Sequence, residues 1–468
     1  MKAPLFLKGS IIFFNALSIA LWLVLYKWYS LADHYQLNFF AFDKIPGHFS
    51  SPIIQGTSVI FAVLFLIYLG TYFYLKKYFS LPLFWLVMIL AYICALINIH
   101  LYPVGALDVY NYIIGLKIFV FYNHNPYSIS LLSYPNDPAT GFAFFNGPYP
   151  YGPLSLFLSL LPTFFTGFSD TQRLLIGLKF LNLLLLTGIT LSIYFFHNKQ
   201  KEGLLGAFLF FANPLILFEA IGNVHNDTLV AFFLICAFLV LKKKPFFALP
   251  FLLLSSLVKF FTIPLLPILF IEAKRHLSKK TLLLSLFLSL LLLIIIVLPF
   301  WEGGKLIDWL LSGTTKAQSL SNVSLYSLVR EYFQRNDATK ETLTIIRYVF
   351  VGLFVVAIYC AGLAIKKKNT IIDVSLGLYL LFCILLTVLY SWYMIPVLAL
   401  IALKPTTRGL YLLFSLTFLN LLSYPAAVWA WYDVGLPSLK LHLFLACFLL
   451  LPIIIYLLFE LSRWAKRQ

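Results

Sequence analysis

Two carboxylates interrupt an otherwise apolar chain. Asp108 stands in Gly105-Ala106-Leu107-Asp108-Val109-Tyr110, just past a long hydrophobic run. Asp227 closes Gly222-Asn223-Val224-His225-Asn226-Asp227, just before another such run. A carboxylate at the end of a membrane helix is costly unless it is solvated, paired or used. Asp108 reads either as a helix cap or as a general base that takes a proton from a hydroxyl at the wet rim. Asn226 or Asp227 before an apolar run is an ordinary N-cap. A cap does not explain His225, Asn226 and Asp227 in succession, preceded by Glu219 and Asn223. A His beside a carboxylate can hold a metal, a phosphate or a hydroxyl. His100, His124 and His225 make no compact ligand spacing, so a divalent metal stays open but unsupported.

Further candidates follow. Lys259 lies within Ser255-Ser256-Leu257-Val258-Lys259-Phe260-Phe261, far from either end of its apolar run. An intramembrane cation is a functional hypothesis by default, here as the partner of a carboxylate or of a phosphate. Tyr149-Pro150-Tyr151-Gly152-Pro153 and Tyr390-Ser391-Trp392-Tyr393 read as an interfacial aromatic belt, as sugar-stacking rings or as the rim of a lipid groove. Tyr110 and the Asn123–Tyr127 segment strengthen the functional reading of Asp108, with Tyr110 and Tyr127 as further substrate-binding candidates. Arg330 and Arg335 are candidates for a phosphate clamp, because the guanidinium grips phosphate as a fork; the rival reading is a solvated loop charge.

The elements that must position these groups are membrane helices. Of 468 residues, 62% are hydrophobic and 11% charged, with mean hydropathy +0.93. Soluble domains carry about a quarter charged residues. Apolar runs of about 20 residues, enough to cross a ~30 Å core, recur along the chain. The expected fold is an all-α polytopic bundle of roughly 12–14 hydrophobic segments in a single membrane domain over 1–468. Neither a soluble domain nor an internal repeat is evident. The formal charge of +17 invites a nucleic-acid reading. Of the 34 basic residues, 21 instead cluster at Lys2/Lys8, Lys76-Lys77, Lys199/Lys201, Lys242-Lys243-Lys244, Lys274/Arg275/Lys279/Lys280, Lys366-Lys367-Lys368, Lys404/Arg408 and Arg463/Lys466/Arg467. Most acidic residues fall between those clusters, Asp33, Asp43, Asp308 and Asp433 among them. That asymmetry is a cytoplasmic-loop signal rather than a nucleic-acid patch. The five cysteines are scattered through apolar runs and make no Cys-x-x-Cys pair.

With the termini cytoplasmic, two large outer loops are expected, about 102–150 and about 300–342, the second holding Glu302, Lys305, Asp308, Lys316, Arg330 and Arg335. The stretch Val109–Tyr122 is too short to span and reads as a helix lying at the interface. Parity is strained next. If Glu219–Asp227 is outside, Leu154–Phe168 does not span independently: it inserts partially, or Leu154–Phe196 forms a bent pair. Pro245–Ile271, basic at both ends and carrying prolines 250, 264 and 267, reads as a hairpin entering and leaving on one side. Lys259 would sit near its tip.

In order and loop placement these pieces resemble the GT-C superfamily of integral membrane glycosyltransferases. They are most like the polyprenol-phosphate-mannose-dependent mannosyltransferases. The pieces are Asp108-Val109-Tyr110, Asn125-Pro126-Tyr127, Tyr149-Pro150-Tyr151-Gly152-Pro153, His225-Asn226-Asp227-Thr228-Leu229, Lys259 ahead of Pro264-Leu265-Leu266-Pro267, and Trp392-Tyr393 ahead of Pro396. The resemblance implies a polyprenyl-phosphate sugar donor, a lipid-linked or surface glycan acceptor of the cell envelope, and direct displacement on the extracytoplasmic face of the plasma (inner) membrane. It maps the catalytic base onto Asp108 and the site-shaping polar group onto His225-Asn226-Asp227. Where the family often has Asp-x-Asp, this chain has His-Asn-Asp. A transporter or flippase for a lipid-linked sugar is the first rival. A membrane acyltransferase or polysaccharide polymerase, built on an essential His, is the second.

Overall fold

The basic clusters converge on one end of the bundle in the computed structural model, which describes residues 5–34, 52–105, 107–143, 146–306, 323–366, 370–385, 389–428 and 438–465. Lys201 Nζ donates to the Lys76 carbonyl at 3.2 Å, and Lys242 Nζ to the Phe196 carbonyl at 2.7 Å. His197 Nε2 lies 2.8 Å from the Leu403 carbonyl oxygen. The Asp227–Lys243 helix runs from Asp227 to this basic end. Its 17 residues separate the two by about 25 Å at ~1.5 Å per residue. Asp43, Lys44, Asp308, Lys316, Lys367, Lys368 and Asp433 lie outside the described residues.

Among the described residues there is no strand, and eight helices are long and apolar enough to cross a membrane. A bent pair, Lys201–Phe211 with Pro214–Gly222, is either a broken ninth span or a re-entrant loop, and four shorter apolar helices accompany them. The chain is an all-α polytopic membrane protein. Lys279–Val297 and Lys340–Lys366 expose apolar side chains such as Phe287, Ile295, Val349 and Val356 along their length, which suits a lipid-facing surface.

Three local solutions position the site. The first lies in the stretch where parity is strained. Pro153–Ser159 and Thr163–Thr166 are short helices joined by a turn, and Gly167, at φ +66°, reverses the chain. Neither is long enough to cross, so the run Leu154–Phe168 is partial. Asp170 then caps the Thr171–Phe196 helix, its Oδ1 accepting from Arg173 N at 3.0 Å.

The second is the broken pair. Asn213 Oδ1 accepts from Leu215 N at 2.9 Å while its Nδ2 donates to Thr417 Oγ1 at 2.7 Å, and Pro214 removes a donor. The chain bends by 47° and ends in a π-turn, Leu217–Gly222. Such turns recur at functional sites because the extra residue re-aims side chains. Val224 follows at φ +61°, a left-handed conformation for a β-branched residue. Strain of this kind, on the order of 1–3 kcal/mol, persists only where the surroundings impose it.

The third is the expected hairpin. Ala248–Val258 rises from the basic end, Lys259 is extended (φ −146°, ψ 136°), Phe260–Leu265 forms a tight turn, and Leu266–His276 returns. Pro264 and Pro267 deny the donors that a continuous helix needs.

The expected interfacial helix needs correction. Asp108–Val120 is helical, but Val109 through Ile118 are all buried and no polar face is presented. The following loop folds over it, and the helix's polar Asn111 and Lys117 are buried with the rest. The Ile118 carbonyl accepts from His124 N at 2.9 Å, and Tyr149 N donates to the Pro126 carbonyl at 2.8 Å. Lys117, turned inward, pairs with Asp137 at 2.9 Å.

Candidate functional site

His225 is the centre of the polar cluster at the end opposite the lysines. Its imidazole is wholly buried between two carboxyls, with Nδ1 3.6 Å from Asp108 Oδ2 and Nε2 3.4 Å from Glu219 Oε2. Trp392 stacks flat on it at 4.1 Å, and Tyr390 stacks on Trp392 at 4.3 Å. Two near-parallel rings at those distances occupy opposite faces of the indole. A sugar ring therefore reaches a Trp392 face only by displacing one of them, and the visible role of Trp392 is to hold His225.

Asp108 begins its helix, where the N-terminal dipole favours negative charge. Tyr151 Oη donates to Asp108 Oδ1 at 2.6 Å. Its side chain keeps 14% exposure, while those of His225 and Glu219 keep none. Burial pushes the Asp108 carboxyl above the usual aspartate range; the Tyr151 hydrogen bond and the Lys259 charge pull it back in part. Burial likewise pushes the His225 imidazole well below its ordinary value, with the Lys259 charge acting in the same direction. Both effects favour the neutral imidazole.

Asp227 and Lys259 form the second half. Lys259 Nζ donates to Asp227 Oδ2 at 2.6 Å, with side-chain exposures of 7% and 0%. The ammonium also lies over the rings of Tyr393 and Tyr151, at 5.1 and 5.4 Å. Tyr151 thus bridges Asp108 and Lys259. Asn226 occupies the cap position of its helix, yet its side chain makes no cap bond and both amide atoms are buried without a hydrogen-bond partner. A buried unsatisfied amide in such a place is an expected mark of a ligand site.

The structure brings Asp108, Tyr151, His225, Asn226, Asp227, Lys259, Trp392 and Tyr393 together. Tyr127 and Tyr149 support the site from below. Tyr127 Oη donates to the Tyr151 carbonyl at 2.7 Å, and Tyr149 packs on Tyr151 at 5.4 Å. Tyr110 is fully buried beside Tyr102. Arg330 is not brought in: it lies half-buried on Leu325–Arg335 and makes no hydrogen bond or ion pair with a described residue. Arg335 pairs with Glu331 at 3.0 Å.

Sequence reasoning missed Lys179, Asn182 and Tyr424. Lys179, wholly buried within Thr171–Phe196, donates to the carbonyls of Asn98, Leu101, Ile221 and Gly222 at 2.5–3.3 Å. Asn182 Nδ2 donates to the Ala220 carbonyl at 2.6 Å and the His225 carbonyl at 3.3 Å. Together they hold the π-turn and the His225 backbone. Tyr424 Oη donates to Glu219 Oε1, and Asn223 Nδ2 donates to Glu219 Oε2 at 2.9 Å.

The hairpin tip touches the Tyr151 segment at Gly152, whose N donates to the Val258 carbonyl at 2.9 Å. A Cβ there would sit 2.1 Å from the Leu257 carbonyl oxygen. Gly152→Ala is therefore expected to cost about 1–3 kcal/mol and to separate Tyr151 from Lys259. Thermal unfolding in detergent checks it. An unchanged melting temperature with full activity would show that the contact is not needed.

Among the described residues, no group of three or more His, Cys, Asp and Glu side chains has the geometry for a metal ion. No match was found among curated proteins or among solved structures. Residues 48–274 match a family model described as alpha-(1->6)-mannopyranosyltransferase, N-terminal domain. That stretch holds Asp108, Tyr151, Glu219, His225, Asp227 and Lys259; Trp392 and Tyr424 come from beyond it. The chain is a membrane glycosyltransferase, similar over residues 48–274 to the alpha-(1->6)-mannopyranosyltransferases.

Proposed function

We propose that the protein moves a mannosyl group from polyprenyl phosphate to a hydroxyl of a lipid-linked or surface glycan, with Asp108 as general base. The observation that carries this reading is Asp108 itself. It is a partly open carboxylate with Tyr151 donating to one oxygen and His225 beside the other, at the edge of the Asp227–Lys259 pair. Asp108 takes the acceptor proton as the oxygen attacks the anomeric carbon. The bond from that carbon to the phosphate oxygen breaks, and polyprenyl phosphate leaves with the electron pair. Lys259 is the buried cation nearest to where that charge develops. The lysine-rich end marks the cytoplasmic face by the positive-inside rule, which supports an extracytoplasmic site and cytoplasmic termini.

The test is transfer by purified protein in detergent micelles, offered a panel of polyprenyl-phosphate sugars and nucleotide sugars as donors and a membrane lipid extract as acceptor. Product from polyprenyl-phosphate mannose, and none from nucleotide sugars, is expected. If no donor reacts, while protein in vesicles moves a lipid-linked sugar between leaflets, the flippase reading replaces this one. A base must be ionised to act, and burial raises the Asp108 carboxyl. Transfer is therefore expected to fall with acidification at a pH above the ordinary aspartate value of about 3.9. A pH–rate profile that stays flat down to that value would contradict the assignment.

A further inference from the structure

We infer that Glu219 sets the tautomer of His225 and thereby keeps Asp108 ionised. Glu219 is a positioning residue, and the inference rests on the reading of Asp108 as the base. A neutral imidazole has one donor and one acceptor nitrogen. Set between two carboxyls, it satisfies both only when one of them carries a proton.

Two arrangements meet that condition. In the first, Glu219 Oε2–H donates to His225 Nε2, and His225 Nδ1–H donates to Asp108 Oδ2. In the second, Asp108 carries the proton and donates to Nδ1, while Nε2–H donates to Glu219. They differ by two proton hops with no net gain or loss. Only the first leaves Asp108 able to accept a proton, with Tyr151 already donating to its other oxygen. In the structure both His225 ring nitrogens are buried without a hydrogen bond to a described residue, at 3.4 Å from Glu219 and 3.6 Å from Asp108. The two bonds of either arrangement form when these contacts close, as catalytic contacts commonly do when substrate binds.

The surroundings select the first arrangement. Glu219 has no exposure, and its only ion-pair contact among the described residues is the neutral His225. Tyr424, from the Thr407–Val428 helix, and Asn223 donate to it as neutral groups. Asp227 and Asp108 act on it as like charges. Lys259 faces Asp227 and acts on Asp108 and His225 from the hairpin tip. An ionised carboxylate is costly where no cation meets it. The shared proton therefore rests on Glu219 and the charge on Asp108. Trp392 stacking and the Asn182 bond to the His225 carbonyl keep the ring from turning out of line.

The test is 15N NMR of the full chain in detergent micelles, labelled at histidine. His225 is assigned by loss of its signals in His225→Gln. At the pH of maximal transfer, Nδ1 is expected protonated and Nε2 bare. A protonated Nε2 with a bare Nδ1, or both nitrogens protonated, overturns the inference. A kinetic arm separates positioning from packing. Glu219→Gln keeps an N–H aimed at Nε2 but gives up the Asn223 bond to that position. It is expected to retain more transfer than Glu219→Leu and to lack the alkaline fall in rate expected of wild type when Glu219 gives up its proton. Glu219→Leu is expected to lose about 10²-fold, the low end for removing acid–base assistance. A Glu219→Gln variant as inactive as Glu219→Leu, or with the wild-type alkaline limb, contradicts the inference. The tautomer is read without any transfer, so an active Asp108→Asn variant would defeat the base assignment and leave this result standing.

Discussion

Asp108→Asn is expected to lower mannosyl transfer by about 10²–10⁴-fold, the range for losing a positioned general base. The substitution is nearly isosteric. The amide oxygen can still accept from Tyr151 Oη, so the packing around Tyr151, Tyr149 and Tyr112 has no reason to change. What disappears is the capacity to take a proton where the acceptor hydroxyl is delivered. Donor binding should be little affected, because the Asp227–Lys259 pair stays intact. The expected signature is a large fall in kcat with a nearly unchanged KM and melting temperature. A fall confined to KM would place Asp108 in binding rather than in proton transfer.

Lys259→Met is expected to destabilise the fold by about 3–5 kcal/mol, the cost of leaving a buried charge without its partner. Asp227 has no side-chain exposure, and Lys259 is its cation. The companion variant decides the cause. Lys259→Met with Asp227→Asn removes both charges and is expected to recover most of the melting temperature in detergent. Transfer is not expected to return, since no cation then faces the departing phosphate. If the double variant melts as low as the single, the loss comes from packing on Tyr151 and Tyr393 rather than from an orphaned carboxylate. If the double variant transfers normally, Lys259 has no part in the chemistry.

Much of this site was legible in the residues. An acid at each of two helix ends and a lysine inside an apolar run are expensive features, and expense is readable without coordinates. The prolines around Lys259 announced a broken hairpin, which the structure shows with Lys259 at its tip beside Asp227. Other parts were hidden for physical reasons. Glu219 looks like one more loop acid. Only the π-turn, which departs from the helical period of 3.6, aims it at His225. Lys179 and Asn182 lie three residues apart on one helix face, a spacing visible in sequence. Their partners are carbonyls freed at the ends of other elements, as much as 81 residues away, and no side-chain pattern announces those. The Asp108 helix was misjudged because short length suggested a surface position. Its burial comes from the loop that folds over it and from the Lys117–Asp137 pair, and neither is announced by the helix itself. Trp392 was open to three readings, an aromatic belt, a sugar platform or a groove rim, since sequence cannot say that His225 and Tyr390 stack on it.

The most direct measurement is single-turnover transfer from radiolabelled polyprenyl-phosphate mannose, comparing wild type with Asp108→Asn at matched melting temperature and matched donor occupancy. The account predicts labelled glycolipid from wild type, and from the variant a rate lower by about 10² or more with donor still bound. Equal rates from the two proteins would contradict it.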